Sequence, residues 1–264
     1  MNKPSDVLTV TRMTSYERCP RQWGYTYVSG LRSPPGWAMI AGSAMDATLN
    51  EHLDQKIKGV NGLRGSALTD YYVTQLRKLV EEQTPVGPKD DRAETDGVVL
   101  LPMYEHEVSP KIEPIEVQKE VEYEIGGQKY LGHLDMTRRA GDGAVIISDH
   151  KFTSYTPRPD KAAKSLQLRA YDLAINDPSH RVELINLVRL KREPKIIVTP
   201  HVVTDQDRRE LLMKWTQTAA LIDTMIFPMI DPSSWNCNPD SCGFWSRCRG
   251  NPRGPEPIPG ERGV

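Results

Sequence analysis

No stretch of this 264-residue chain is apolar for long enough to span a membrane, and its opening "MNKPSDVLTVTRM" lacks the apolar core of a secretory signal. Both absences point to the cytoplasm (that of a host, were the gene a phage's). Charge of one sign is not in excess either. Lys and Arg number 34 against 35 Asp and Glu, so no global field advertises nucleic acid, although a local basic groove would suffice to bind it. The G-x-x-x-x-G-K-[ST] phosphate loop is missing, so any ATP-driven step would come from a partner. No repeat and no convincing linker divide the chain. Cysteines are few, four in all, and a reducing compartment argues against pairing them as disulfides. What is present is a 38% hydrophobic content, enough for a sizeable core.

Periodicity sets out the elements. Thr14 or Ser15 is expected to cap a helix reaching about Val28, "GWAMIAGSAMDATLNEHLDQKI" and Ser66–Gln83 read as further helices, and a fourth is placed around Gly97–Val108. From Pro114 the pattern changes to period two: "IEVQKEVEYEI", a Gly126-Gly127 turn, "QKYLGHLDMTRR", a second turn at "AGDG", then "AVIISDHKF". A helix over "KAAKSLQLRAYDLAIN", strands over "RVELINLVRL" and "KIIVTPHVV", and a helix from Asp205 to about Ile226 follow. The order predicts one α/β domain over 1–250. It has a helical section at about 14–110, a core at about 114–230 and a Cys-rich segment at 235–250; the Pro/Gly tail 251–264 is expected to be loosely ordered.

The chemistry gathers where an apolar strand ends in charges. A turn centred on Asp142 pairs residues whose numbers add to about 284, which sets Asp135 opposite Asp149 on one face, with Lys151 two residues further on the same face. Two opposed carboxylates repel unless a cation lies between them, and Mg²⁺ or Mn²⁺ prefers such oxygen ligands. A neighbouring lysine can orient a water or stabilise a phosphate's developing charge, so these are parts for metal-assisted phosphodiester hydrolysis. A solvated strand end with one surface ion pair is the plain alternative. Gln167 and Tyr171, four apart on the next helix, share a face and could serve the same site or simply be helix surface.

Cys19 stands alone in "YERCPRQW", and Cys237, Cys242 and Cys248 form a C-x4-C-x5-C triplet. Four thiolates suit either a tetrahedral zinc or an iron–sulfur cluster, against the alternative of four unrelated buried thiols. Either metal group would tie the first helix to the last segment.

Taken together, "SYERCPRQWGY", "GHLD", "DHK", "QLRAY" and the terminal triplet make the chain resemble, over nearly its whole length, the RecB-like nucleases of the PD-(D/E)XK superfamily. The likeness is to the stand-alone exonucleases with an iron–sulfur cluster known from CRISPR systems and phages. It implies a restriction-endonuclease-like core sheet flanked by helices. Asp135, Asp149 and the backbone carbonyl of His150 would be metal ligands, Lys151 the catalytic lysine, and Gln167 and Tyr171 its supports. Cys19, Cys237, Cys242 and Cys248 would hold a structural [4Fe–4S] cluster. The family's early metal-binding His is replaced by Asp46, four after Gly42; His52 is the other candidate but sits at the wrong offset. C-x4-C stands where C-x2-C is usual, which keeps zinc in view.

The expected activity is a Mg²⁺- or Mn²⁺-dependent DNA exonuclease preferring single strands or ends, working with a helicase, recombinase or integrase-type partner. Tyr155, Arg158 and Lys164 beside the site, and Arg189, Lys191 and Arg192 in "RLKREPK", are candidate DNA contacts. Trp235 and Trp245 are placed beside the cysteines, as packing in preference to base stacking. An inactive binding subunit, an endonuclease or flap nuclease variant, and a zinc-stabilised protein of unrelated function are the competing readings.

Overall fold

The computed structural model describes residues 6–60, 62–175 and 180–262. In chain order its elements are β1 (Leu8–Thr9), α1 (Val10–Arg18), α2 (Pro20–Tyr27), α3 (Trp37–Ile57), α4 (Ser66–Gln83) and α5 (Ala93–Met103), then β2 (Glu113–Ile125), β3 (Gln128–Arg139) and β4 (Val145–Thr153). They continue as α6 (Leu166–Ile175), β5 (Arg181–Val188), β6 (Lys195–His201) and α7 (Asp205–Asp223). The fold is mixed α/β, a central sheet flanked by helices. Among the described residues no helix is long and apolar enough to cross a membrane.

Two compact units emerge, each assembled from separated segments. One comprises Met1–Pro34, Glu122–Gly132 and Arg209–Val264; the other comprises Pro35–Val121 and His133–Arg208.

In the first unit, the single helix expected from Thr14 or Ser15 to Val28 is two. Helix α1 starts at least five residues earlier because Thr9 caps it, its Oγ1 accepting from the Arg12 amide at 3.1 Å. The hydroxyls of Thr14 and Ser15 instead donate to carbonyls one turn back, at 2.9 and 3.0 Å. Pro20 has no amide hydrogen to continue the ladder, so the chain extends at Cys19 and restarts as α2. Trp23 is fully buried between Tyr16, Tyr27 and Phe227, with ring centroids 5.1–5.7 Å away. Tyr130 stacks between Tyr123 and Trp215. The β2–β3 hairpin turns at Gly126 and Gly127, whose φ of 58° and 79° are the left-handed values such a two-residue turn requires.

The tail differs from its sequence expectation. Pro-rich segments form no helix or strand, yet they can pack: Ile258 is buried, the Arg262 amide donates to the Met225 carbonyl at 2.8 Å, and Glu261 pairs with the buried Arg21 at 2.5 Å.

In the second unit, β3 and β4 pair antiparallel, β4 and β5 parallel, β5 and β6 antiparallel. The parallel pair needs a crossover, which α6 supplies. Helix α6 begins at Leu166 rather than Lys161, with turns before it; Asn176 lies outside the described residues. Helix α5 begins at Ala93, and past Pro102 it gives way to one π-helical turn, Tyr104–Val108. Helix α7 ends at Asp223, three residues short of its expected limit. The α3 residues Ile40, Ala44, Met45, Leu49 and Leu53 form a stripe at helical spacing that packs with α4, α5, Met136, Ile185 and Leu187 into one apolar core.

Gly24 lets the tail seat on α2: a Cβ there would lie 2.5 Å from Ile258 Cδ1 and 3.0 Å from Phe227 Cγ. Gly24→Ala is therefore expected to lower the unfolding free energy by about 1–3 kcal/mol through overpacking, although alanine is the better helix former. Adding Ile258→Ala should recover part of that loss. A denaturant midpoint for Gly24→Ala equal to or above wild type would show that the tail does not press on α2.

Candidate active site

Strand β4 is apolar up to Ile147 and then alternates. Asp149 and Lys151 share one face, while Ser148 and His150 share the other. The observed partners Met136↔Ser148, Thr137↔Ile147, Arg138↔Ile146 and Arg139↔Val145 follow the register expected for a turn at Asp142. Asp135 and Asp149 stand one position beyond the Met136↔Ser148 pair, and the His150 amide donates to Asp135 Oδ2 at 3.3 Å.

Asp149 is completely buried. Its Oδ2 lies 2.5 Å from Lys151 Nζ, but neither carboxylate oxygen accepts a well-directed hydrogen bond. Asp46 of α3 converges on the same place. Burial, followed by the Asp149 charge, raises its pKa above the ordinary carboxylate value. For Asp135, burial is again the largest influence, with Asp149 and Asp46 adding repulsion that Lys151 only partly offsets, and its carboxyl is pushed up to about 8. Burial works against the Lys151 charge, yet Asp149, Asp135 and Asp46 outweigh it and raise its pKa. Three carboxyl groups thus face a single ammonium, an imbalance of charge that a divalent cation would correct.

Helix α6 brings Gln167 and Tyr171 of "QLRAY" to this lysine. Lys151 Nζ donates to Gln167 Oε1 at 3.2 Å, and Gln167 Nε2 donates to the Tyr171 hydroxyl oxygen at 3.0 Å. The four-residue spacing stacks them on one helix face, so the amide is fixed from both sides. Burial raises the Tyr171 pKa, keeping the phenol neutral.

His52 is not part of the cluster: its ring nitrogens are bonded to the Leu63 carbonyl and the Ser109 hydroxyl, each at 2.8 Å. The His150 ring is buried on the other face of β4 against the Tyr104 hydroxyl, 3.0 Å away, and burial with the Lys151 charge holds its pKa down to about 3. Only its backbone faces the carboxylates.

The sequence candidates for DNA contact divide. Tyr155, Arg158, Lys191 and Arg192 are exposed, as is Lys164, which pairs with Asp160 at 2.6 Å. Arg189 is a correction. It is 8% exposed, its guanidinium is held by Asp90 and Asp96 at 2.6 and 3.0 Å, and it lies over the Phe152 ring. A phosphate would have to displace two carboxylates to reach it.

The four cysteines come together within the first unit, where they line one small cavity with Gln22, Trp245 and Arg249. All four are free thiols. Cys19 Sγ, at the cap of α2, accepts from the Gln22 amide at 3.5 Å, and Arg249 Nε donates to Cys237 Sγ at 3.3 Å. Burial, then the neighbouring Cys19 and Cys237, raises the pKa of Cys242. Trp235 is 78% exposed, so it does not pack beside the thiols as the sequence suggested. Among the described residues no three His, Cys, Asp or Glu side chains stand close enough to hold one metal ion as they are.

Two features were missed from the sequence. Asn50, one turn along α3 from Asp46, hydrogen-bonds it; the i, i+4 spacing was the available signal. Glu183, the lone acid in the apolar run "RVELINLV", is buried behind β4. It accepts from Arg138 Nε and Nη2, both at 2.7 Å, and from the Ser148 hydroxyl at 2.6 Å.

Comparison with known proteins bears on the fold and the family. A solved chain from Eubacterium rectale, a candidate exonuclease, superposes with a TM-score of 0.59 at 12% identity, over 88% of this chain and 87% of its own. A second solved protein covers 95% of this chain and 89% of its own at 14% identity, with a TM-score of 0.42 that is too low to carry weight. No curated protein matches. The family model described as the PD-(D/E)XK nuclease superfamily matches residues 7–249, and the chain belongs to that superfamily.

Proposed function

We propose that the protein is a divalent-metal-dependent deoxyribonuclease that removes nucleotides from single-stranded DNA or DNA ends. The observation that carries this reading is the convergence of Asp46, Asp135 and the wholly buried Asp149 on one lysine. The two Asp149 oxygens lack directed hydrogen bonds, and oxygen donors of this kind suit Mg²⁺ or Mn²⁺. Asp135 and Asp149 would hold the ion, with Asp46 and the His150 carbonyl completing the set. A divalent ion there supplies Lewis acidity to the scissile phosphate and lowers the pKa of an attacking water.

Lys151 then does two things. It orients the water for in-line attack, and its ammonium, freed from Asp149 once that carboxylate has another cation, balances charge on the phosphoryl oxygens. Gln167, held by Tyr171, keeps the flexible lysine stem aimed at the site. Tyr155, at the exposed end of β4, offers a face on which a splayed base can stack, and Lys191 and Arg192 offer charges to a backbone. A helicase, recombinase or integrase-type partner would present the DNA end.

Cys19, Cys237, Cys242 and Cys248 are read as ligands of a [4Fe–4S] cluster with a structural role. Four thiols lining one cavity are the donor set such a cluster uses, each iron taking one cysteine, and zinc is the alternative. The reading is tested by colour and content: protein purified without air should be brown, contain iron and acid-labile sulfide, and bleach with oxidant. A colourless preparation containing zinc would replace the cluster with zinc.

The activity is tested on end-labelled linear single-stranded DNA with Mn²⁺. Lys151→Ala is expected to lose about 10²–10⁴-fold in rate. If cluster-intact wild type cuts none of single-stranded, duplex or flapped DNA, the protein is a binding subunit. Cleavage of a circular single strand would make it an endonuclease.

The acidic cluster also sets a pH dependence. An ordinary aspartate titrates near pH 3.8 and Asp135 at about 8, so between these values the folded, metal-free protein keeps a proton that the unfolded chain gives up. Stability should therefore fall as pH rises from about 4 to 8, by at most about 1.4 kcal/mol per pH unit. Asp135→Asn should flatten that slope in thermal melts. Mg²⁺ should raise the Tm of wild type at pH 8 far more than that of Asp135→Asn, and equal shifts would remove Asp135 from the metal set.

A further inference from the structure

Asn50 has no place in the acidic motif, yet it belongs to the site. It follows Asp46 by four residues on α3, one turn along the same face, and its side chain hydrogen-bonds the Asp46 carboxyl. Only a donor can stabilise a carboxylate in this way, so the contact is made by the amide NH₂ group and leaves the carbonyl oxygen for something else. That oxygen, Asn50 Oδ1, is buried without a hydrogen-bond partner. An orphaned amide oxygen in a helix interior is a cost, and alanine at this position would remove it and favour the helix. Once ionised around a cation, the neighbouring carboxylates cannot satisfy it, since they are then acceptors too. The donor such a place would accept is water, and Mg²⁺ usually keeps several waters when it binds to carboxylates.

We propose that Asn50 is a positioning residue of the acidic site: its NH₂ group fixes the orientation of Asp46, and its carbonyl oxygen receives a hydrogen bond from a hydration water of the bound cation. This rests on the reading of Asp46, Asp135 and Asp149 as a metal cradle. It makes Asn50 the partner through which α3 presents the Asp46 carboxylate to the site. An unaided aspartate on a helix can swing between rotamers, whereas one tied to the next turn presents a fixed lone pair. The arrangement gives up some metal-free stability for a preorganised site.

The test compares wild type with Asn50→Ala in two measurements that need no DNA. Calorimetric titration with Mn²⁺ is expected to show about 10- to 100-fold weaker binding by Asn50→Ala, the usual effect of losing an outer-shell partner. The Tm of the metal-free variant is expected to equal or exceed that of wild type. A residue that merely supports the fold would give the opposite pattern, a lower Tm with unchanged Mn²⁺ affinity, and that result overturns the proposal. In the nuclease assay, the deficit of Asn50→Ala should narrow as Mn²⁺ is raised, whereas that of Lys151→Ala should not; a deficit independent of Mn²⁺ also counts against it. Should Asn50→Ala fail to fold, Asn50→Ser is titrated in the same way and is expected to bind Mn²⁺ less tightly than wild type. If wild type binds no Mn²⁺ at all, the cradle itself is wrong and the inference falls with it. If wild type binds and Asn50→Ala binds equally, only the role of Asn50 is lost.

Discussion

A carboxylate with no exposed surface, contacted by one lysine and crowded by two further aspartates, is a costly thing for a protein to keep. Much of the second unit follows from it. Asp149 lies one residue past the Met136↔Ser148 pair, where β4 still pairs with β5, and its side chain has no exposed surface. Asp135 answers by holding on to its proton, and Lys151 by binding Asp149 and raising its own pKa. The local structure is thus under strain of charge rather than of geometry. It needs backbone and helices stiff enough to hold the groups together against their repulsion.

That stiffness is visible on the opposite face of β4. The Arg138–Glu183–Ser148 network fastens β3, β4 and β5 to one another directly behind the charged face, and Tyr104 pins the imidazole of His150. The contacts among Arg138, Glu183 and Ser148 are largely buried and mutually satisfied, the condition under which a buried network adds rigidity. On the charged face, α6 contributes the Gln167–Tyr171 pair, so the lysine is restrained by the same crossover helix that lets β4 and β5 run parallel. Site and topology are therefore one construction: the crossover that the sheet requires carries the residues that the lysine requires.

The first unit rests on a different constraint, the break at Cys19. Pro20 ends the helical ladder, which turns a cysteine that would otherwise lie on a helix surface into the cap of α2, facing the cavity lined by the terminal triplet. Burial raises the pKa of Cys242 and Cys248, so ligation, which needs thiolates, would be coupled to proton release. The Pro-rich tail closes over α2 at Gly24, giving a segment without regular structure a fixed seat.

Local rules read most of this correctly. Alternation and turn residues placed β2, β3 and β4, and the position of one turn gave the register that brings Asp135 and Asp149 together. Spacing put Gln167 and Tyr171 on one helix face. Errors came where a local signal had two possible outcomes. Thr9, Thr14 and Ser15 can all cap, and only the surrounding chain chose Thr9. A basic turn can face solvent or acids, and Asp90 and Asp96, distant in sequence, drew Arg189 inward. The pairing of Glu183 with Arg138, and the burial of the tail by Ile258, depend on contacts between segments far apart in the chain, which no periodicity encodes. By itself the sequence determined which residues have the chemistry and which share a face, because both depend on bonding geometry within one element. The tertiary structure alone decided which charges are buried and which partner each one meets, because burial is a property of the packed chain.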